Sequence, residues 1–327
     1  VTYDEAKSKF EQLFSGYMDE EEARNLLIDM AKRGENADEI AAAAEVMRAH
    51  SVKLPVSDDL RQKLIDNCGT GGDKSGSFNI SSTVSLLLAG AGCYVAKHGN
   101  RSITSRSGSA DMLEHLGVRL DLSPGQQVKM LEETGFTFIF AIHHHPAMKF
   151  IMPIRKSIEH RTIFNILGPL SNPADVRKQL IGVFDTSFVK RVAEALKRLG
   201  TTSAMVVSSR DGLDEISLSD VSEAVSLKDG ELSSLTIDPM EFGIKKSTLE
   251  EIKGGDAALN ATITKGILEG EIEGAKRDIV LINAAAALIV DGQARDFQDG
   301  LQIAKETIDS GHAKEALKKI VKVSNSL

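Results

Sequence analysis

From residue 3 to about residue 66, apolar positions recur at helical spacing. Phe10, Leu13 and Phe14 share one face, and Leu26, Leu27 and Met30 share another. The acidic run Asp19-Glu20-Glu21-Glu22 precedes that second face, where it complements the positive end of a helix dipole. Asn36 followed by Glu39 has the spacing of a capping box, ahead of the apolar stretch Ile40–Met47. No period-2 alternation interrupts these helices, so the pattern predicts a small helical domain.

The texture changes near Ile65. Cys93–Ala96, Phe136–Ile142, Leu180–Phe184 and Ala204–Val207 read as buried strands. Between them Val84–Leu88, Ser109–Leu116, Gln126–Glu133 and Val189–Leu199 read as helices. Strands alternating with helices predict an α/β fold with a mainly parallel central sheet covered on both faces. Ala224–Leu227 and Leu232–Ile237 flank Asp229-Gly230, a hairpin signal. After Ser247 the pattern is helical to the end, including the Ala-rich Ile282–Val290. The resulting division is a helical domain over 1–66 and an α/β domain over 67–327.

Composition narrows the function classes. The 327 residues are 42% apolar and 26% charged, with a net charge of −8, so a broad basic face for nucleic acid is not expected. A local basic pocket for a phosphate remains compatible with that balance. Two cysteines, Cys68 and Cys93, form no CxxC pair. No apolar run is long enough to span a membrane and the N-terminus is polar and acidic, so a cytoplasmic protein is expected.

Four clusters carry candidate chemistry. Gly69-Thr70-Gly71-Gly72-Asp73 precedes Ser77-Phe78-Asn79-Ile80-Ser81-Ser82. Its glycines let the backbone turn tightly, and a helix starting near Ser81 would present free N–H groups to a phosphate, with the hydroxyls of Ser77, Ser81 and Ser82 as further donors. Neither the Walker spacing nor the dinucleotide fingerprint is present, and an ordinary glycine-rich turn is the plain alternative. Lys97-His98-Gly99-Asn100-Arg101 follows a buried strand and is expected at its C-terminal edge, where open α/β sheets bind ligands; the alternative is a solvated basic turn. The polar loop Ser105–Asp111 leads into a helix for which Ser107 and Ser109 are candidate caps or ligand contacts.

His143-His144-His145-Pro146 suggests a metal at first sight, but adjacent side chains diverge and rarely converge on one ion. Histidines lining an aromatic-substrate pocket are the preferred reading. Arg155, on an expected helix, has a fork that could take a carboxylate, or could end in a surface salt bridge. Asp211-Gly212-Leu213-Asp214-Glu215 places adjacent carboxylates after a strand, suited to a hard cation that also holds phosphates, or simply an acidic loop.

Together these clusters resemble the anthranilate phosphoribosyltransferase family. The matching segments are GTGGD at 69–73, NIS at 79–81, KHGNR at 97–101, SGSAD at 107–111, HHPAMK at 144–149, IFNILGPLSNP at 163–173 and GLDE at 212–215. The resemblance implies phosphoribosyl transfer to the amine of anthranilate in tryptophan biosynthesis, with Mg2+ as cofactor. It implies that Gly69, Gly71, Gly72, Asp73, Ser77, Asn79, Ser81, Ser82, Lys97 and Ser109 surround phosphoribosyl pyrophosphate. Gly69, His98, Asn100, His145, Arg155, Gly168 and Pro169 would face anthranilate, and Ser81, Asp214 and Glu215 would hold the metal. It also implies a homodimer and a helical domain completed by helices from about residues 147–178. Ser77 and Ser82 stand where threonine is frequent, and Ile142-His143 departs from the usual start of the HHP segment. Two other readings are a nucleoside phosphorylase of the same fold class and a non-catalytic nucleic-acid-binding relative.

Overall fold

The structure, a computed structural model, describes residues 1–102 and 106–327. Four helices open the chain: α1 (Tyr3–Phe14), α2 (Glu20–Arg33), α3 (Ala37–Ala49) and α4 (Asp58–Lys63). Each has a side-chain cap. Asn36 and Glu39 close the expected box, Glu39 N donating to Asn36 Oδ1 at 2.8 Å and Asn36 N to Glu39 Oε2 at 3.0 Å. Such a cap contributes about 1 kcal/mol. Phe10, Leu13 and Phe14 of α1 pack in one apolar cluster with Leu27, Met30, Ile40 and Val46.

The sheet follows. β1 (Leu64–Gly69) leads to α5 (Ile80–Gly90), β2 (Tyr94–Gly99), α6 (Ser109–His115), α7 (Pro124–Thr134) and β3 (Phe136–Phe140). Three short helices come next: α8 (Ala141–His144), α9 (Met148–Lys156) and α10 (Phe164–Leu167). The chain then re-enters the sheet through β4 (Lys178–Gly182), α11 (Val189–Arg198) and β5 (Ser203–Ser209). The hairpin β6 (Ser222–Lys228) and β7 (Glu231–Ile237) completes the sheet. Its turn residues Asp229 and Gly230 both have positive φ, 51° and 80°, as a tight hairpin turn demands. The C-terminal helices are α12 (Ala257–Leu268), α13 (Ala275–Asp291), α14 (Phe297–Asp309) and α15 (His312–Ser324).

Strand order is β3-β2-β1-β4-β5-β6-β7, with β1 to β5 mutually parallel and the last two antiparallel. Successive side chains on a strand face opposite ways. Leu180, Met205, Val207 and Ala224 therefore join one core with α5, α13, α14 and α15, while Ile181, Val206, Val225 and Leu227 join the other with α1, α3 and α11. The second core runs unbroken from the sheet into the helical bundle, and α9 packs on α1 and α2.

Local differences from the sequence pattern have clear causes. The strand expected to reach Ile142 stops at Phe140, and Ala141–His144 turns into a short helix. β2 extends three residues further than its apolar run, so Lys97 and His98 lie within the strand rather than beyond it. α5 begins at Ile80, just ahead of Ser81. Neither Ser107 nor Ser109 caps α6; Gly108 does, its amide donating to Asp111 Oδ2 at 3.0 Å. A Cβ at Gly108 would lie 2.3 Å from Ser102 N, so no side-chain cap fits there. Ser105, the start of that polar loop, lies outside the described residues.

Candidate active site at the C-terminal ends of the strands

β1 carries two polar residues inward, Asp66 and Asn67, both buried. Each is satisfied by hydrogen bonds that tie neighbouring segments together. Asn172 Nδ2 donates to Asp66 Oδ2 at 2.9 Å, and His98 N to Asp66 Oδ1 at 3.4 Å. Asn67 Nδ2 donates to Ser81 O at 2.9 Å, and Ser85 Oγ to Asn67 Oδ1 at 2.5 Å. Lys97, fully buried on β2, donates its ammonium to the Asn67 carbonyl and to Ser81 Oγ at 3.1 Å. The start of α5 is thereby fixed to β1 and β2, with a cation beneath it.

Beyond Gly69 the chain turns through Gly71 and Gly72, whose φ values are +71° and +77°, and Lys74, at +57°. A lysine in the left-handed region is uncommon. Thr70 N donates to Gly182 O at 2.8 Å. Gly71 N donates to Asp214 Oδ2 at 2.7 Å, which joins the glycine loop to the acidic loop after β5. Close approach here is possible only because of two missing side chains. A Cβ on Gly69 would lie 2.2 Å from Asp214 Oδ2, and one on Gly182 would lie 1.6 Å from the Asp214 carbonyl oxygen. Asp73 accepts from Ser75 N at 3.1 Å and Ser75 Oγ at 3.0 Å, which closes the loop locally.

The carboxylates stand in an unusual electrostatic setting. Burial, then the charge of Asp73, pushes Asp214 up to about 7. Burial, then the charge of Asp214, holds Glu215 well above the usual carboxylate range. Among the described residues, no ammonium or guanidinium pairs with either carboxylate, and no three His, Cys, Asp or Glu side chains form a complete metal site. A pair of crowded oxygen acids therefore fits a hard cation whose remaining ligands come from elsewhere, such as phosphate oxygens.

Asn79, just before α5, and Ser107, just before α6, interlock. Ser107 Oγ donates to Asn79 Oδ1 at 3.0 Å, Asn79 Nδ2 to Ser107 O at 3.2 Å, and Asn260 of α12 adds a bond to Asn79 Oδ1 at 3.0 Å. Ser77 forms an isolated β-bridge with Lys253. Ser82 Oγ is buried with no hydrogen-bond partner. Ser109 opens α6 beside Gly99, where an added Cβ would lie 3.3 Å from the Ser109 Cβ.

A second set of residues extends the site towards α9 and α10. His98 Nδ1 lies 2.9 Å from Gly168 O, and His98 Nε2 lies 3.1 Å from His145 Nε2. A carbonyl only accepts, so His98 carries its proton on Nδ1 and its Nε2 is an acceptor. His145 must then donate from Nε2, which leaves its Nδ1 as a buried lone pair without a partner. Burial holds His98 down at about 4 and His145 at about 3, so both are neutral at pH 7. His144 turns away, its Nδ1 2.7 Å from Val52 O. Pro169 is buried, and its carbonyl accepts from Gln179 Nε2 at 2.7 Å. Asn100 is exposed just past β2. Arg155 lies over the Phe164 ring at 5.6 Å, and burial lowers its pKa. It makes no ion pair among the described residues.

The structure thus gathers the glycine loop, Asp214 and Glu215 at the C-terminal ends of β1, β4 and β5, with Ser81 and Lys97 alongside, and places His98 and His145 by Gly168. Sequence reasoning missed Gly182, Asn172, Asn260 and Arg161. Arg161 donates to the Gly72 carbonyl and stacks 3.7 Å over the Phe184 ring, bracing the loop from outside. Gly182 ends a strand and is the one of these with a local signal. The other three act through contacts 89, 106 and 181 residues apart in sequence.

The open, mainly parallel sheet carries a glycine loop and paired acids at its C-terminal edge, and its sequence places it in a glycosyl transferase family. Residues 61–314 match the α/β domain of the glycosyl transferase family, and residues 1–51 match that family's helical bundle domain. An anthranilate phosphoribosyltransferase of Rhodopseudomonas palustris is 45% identical over 324 residues, 99% of this chain and 94% of that one. Another, from Methanobrevibacter smithii, is 45% identical over 322 residues, 98% and 95% of the two chains. The crystal structure of anthranilate phosphoribosyltransferase from Thermus thermophilus superimposes with a TM-score of 0.92 at 38% identity, covering 99% of this chain and 96% of that one. The Saccharomyces cerevisiae enzyme in complex with PRPP and Mg superimposes at 0.84 with 27% identity, covering 94% and 86%. The chain belongs to the anthranilate phosphoribosyltransferase family.

Proposed function

We propose that this protein transfers the 5-phosphoribosyl group from phosphoribosyl pyrophosphate to the amine of anthranilate, releasing pyrophosphate, as a step of tryptophan biosynthesis. The observation that carries this reading is the meeting of the glycine loop with Asp214, Gly71 N to Asp214 Oδ2 at 2.7 Å. That contact makes one site of two segments far apart in sequence.

The chemistry follows from the groups present. Pyrophosphate leaves ribose C1 as negative charge builds on it. The loop amides at Gly71 and Gly72, the hydroxyls of Ser77, Ser81 and Ser82, and the Lys97 ammonium supply donors and charge for phosphate oxygens. Gly69, Asp73, Asn79 and Ser109 complete that wall. Asp214 and Glu215, with Ser81 Oγ, would hold Mg2+, which when bound neutralises charge on the departing group. The sugar gains oxocarbenium character, and the anthranilate amine attacks in line from the other side. An aryl amine is already neutral and nucleophilic near pH 7, so positioning outweighs base catalysis. Arg155 would take the anthranilate carboxylate through its fork, beside Asn100, His98, His145, Gly168 and Pro169.

A homodimer, a cytoplasmic location and a helical unit made of residues 1–66 with about 147–178 belong to the same reading. The packing of α9 on α1 and α2 supports that unit. The reaction is tested by following the loss of anthranilate fluorescence with phosphoribosyl pyrophosphate and magnesium. Consumption that stops when either is omitted supports it. Phosphorolysis of thymidine or uridine in place of anthranilate consumption would assign a nucleoside phosphorylase instead.

A further inference from the structure

At the opposite, N-terminal edge of the parallel strands lies a second cleft of about 510 Å³. Its lining residue Arg177 immediately precedes β4, whose other end is Gly182, and a five-residue strand is roughly 13 Å long. The cleft is therefore distinct from the catalytic one. It lies where α3, the segment leading into α4, the loop before β4 and the end of α11 meet. Five of its lining residues are cations, Arg48, Lys53, Arg61, Arg177 and Arg198, against two carboxylates, Glu45 and Asp175.

Those carboxylates do not balance the cations. Glu45 is taken by Lys7 at 2.7 Å. Asp175, held at a left-handed φ of 52°, serves Arg177 at 3.2 Å and Arg48 only at 3.8 Å. Arg198 pairs with Asp38 at 3.1 Å, and Arg61 with Asp58 at 2.6 Å. Arg48 otherwise donates to the Leu170 carbonyl at 2.6 Å. Lys53 has no carboxylate partner among the described residues. Arg61 Nε is buried with no hydrogen-bond partner.

The like charges also feel one another. Burial, opposed by Asp175 and reinforced by Arg177, lowers Arg48 to about 10. Burial, opposed by the charge of Asp175 and reinforced by Arg48 and Arg61, lowers Lys53. A cluster that repels itself, has spare donors and encloses room for a small molecule is built for an anion.

We propose that this cleft is a second anion site, distinct from the catalytic one, that takes a small phosphate-bearing molecule between Arg48, Lys53, Arg61 and Arg177. The forked guanidiniums would share its oxygens, and Lys53 would add a point charge at the rim. Because the segment from α3 to α4 forms one wall, occupancy would brace the helical bundle against the sheet.

The test is thermal unfolding at constant ionic strength, with chloride exchanged for inorganic phosphate or for ribose 5-phosphate. Wild-type protein is compared with Lys53→Gln/Arg61→Gln. In chloride the variant should melt at or above the wild-type temperature, because repulsion is relieved. In phosphate the wild type should gain several degrees that the variant does not, with the variant's kcat and KM values unchanged. A larger gain with ribose 5-phosphate than with inorganic phosphate would assign a sugar phosphate, and equal gains the free anion. Equal phosphate-dependent gains in wild type and variant would overturn the proposal. If the double variant does not fold, Lys53→Gln alone, at an exposed position, provides the same comparison.

Discussion

A side chain at Gly182 would put its Cβ 1.6 Å from the carbonyl oxygen of Asp214. The acidic loop therefore rests directly on the end of β4, and the absence of one methyl group sets where the carboxylates stand. Gly182→Ala should cost about 3 kcal/mol or more, since the obstacle is backbone and cannot rotate away. Gly71→Ala meets nothing within 4 Å, and its φ of +71° should cost only about 1–2 kcal/mol. Denaturant melts of the two variants check this; equal destabilisation would contradict the packing argument.

Asp214→Asn with Glu215→Gln should lower kcat by about 100-fold or more and blunt the magnesium response. The fold should survive, because the substitutions remove two crowded buried acids and an asparagine side-chain oxygen can still accept from Gly71 N. Unchanged kinetics and an unchanged magnesium titration would remove the metal assignment.

Arg155→Ala should raise the KM for anthranilate about 10- to 100-fold, the worth of a charged hydrogen bond, and far more than that for phosphoribosyl pyrophosphate. Arg155 has no ion-pair partner among the described residues, so its loss strands no carboxylate; what goes with it is the contact with the Phe164 ring. Steady-state kinetics with each substrate varied would show it. Equal effects on both would argue against Arg155 as a carboxylate contact.

Histidine burial predicts a pH dependence of stability. His98 and His145 titrate near 4 and 3 in the fold, below the usual histidine value of 6.5. Between those values the unfolded chain binds more protons than the folded one, so stability rises with pH there. Their contribution is complete above about pH 6.5 and is lost as pH falls towards 4 and then 3. Melting temperature against pH should fall more gently in His98→Asn/His145→Asn, and an identical slope would contradict the buried neutral pair.

How much of this was legible in the sequence depended on whether a residue's environment was local. The Asn36–Glu39 cap and the Asp229-Gly230 turn are set by neighbours within a few residues, and both were readable. The strands rich in Val, Ile and Phe were readable for the same reason. β1 was not, because Asp66 and Asn67 break its apolar run. Their burial is compensated by Asn172, His98, Ser81 and Ser85, none of which is near in sequence. The glycine loop and the acids stood out as motifs, but the reason Gly69 must be glycine lies in Asp214, on another loop. Arg161 and Asn260 support the site from positions with no distinguishing pattern.

In the proposed reaction one cleft holds a sugar diphosphate between the glycine loop and the acid pair. Phosphorus NMR of bound phosphoribosyl pyrophosphate, with Mn2+ replacing Mg2+, measures this directly. Strong paramagnetic relaxation of the pyrophosphate signals is expected in the wild type, and its loss in Asp214→Asn/Glu215→Gln at matched ligand occupancy. Full relaxation retained in that variant would contradict it.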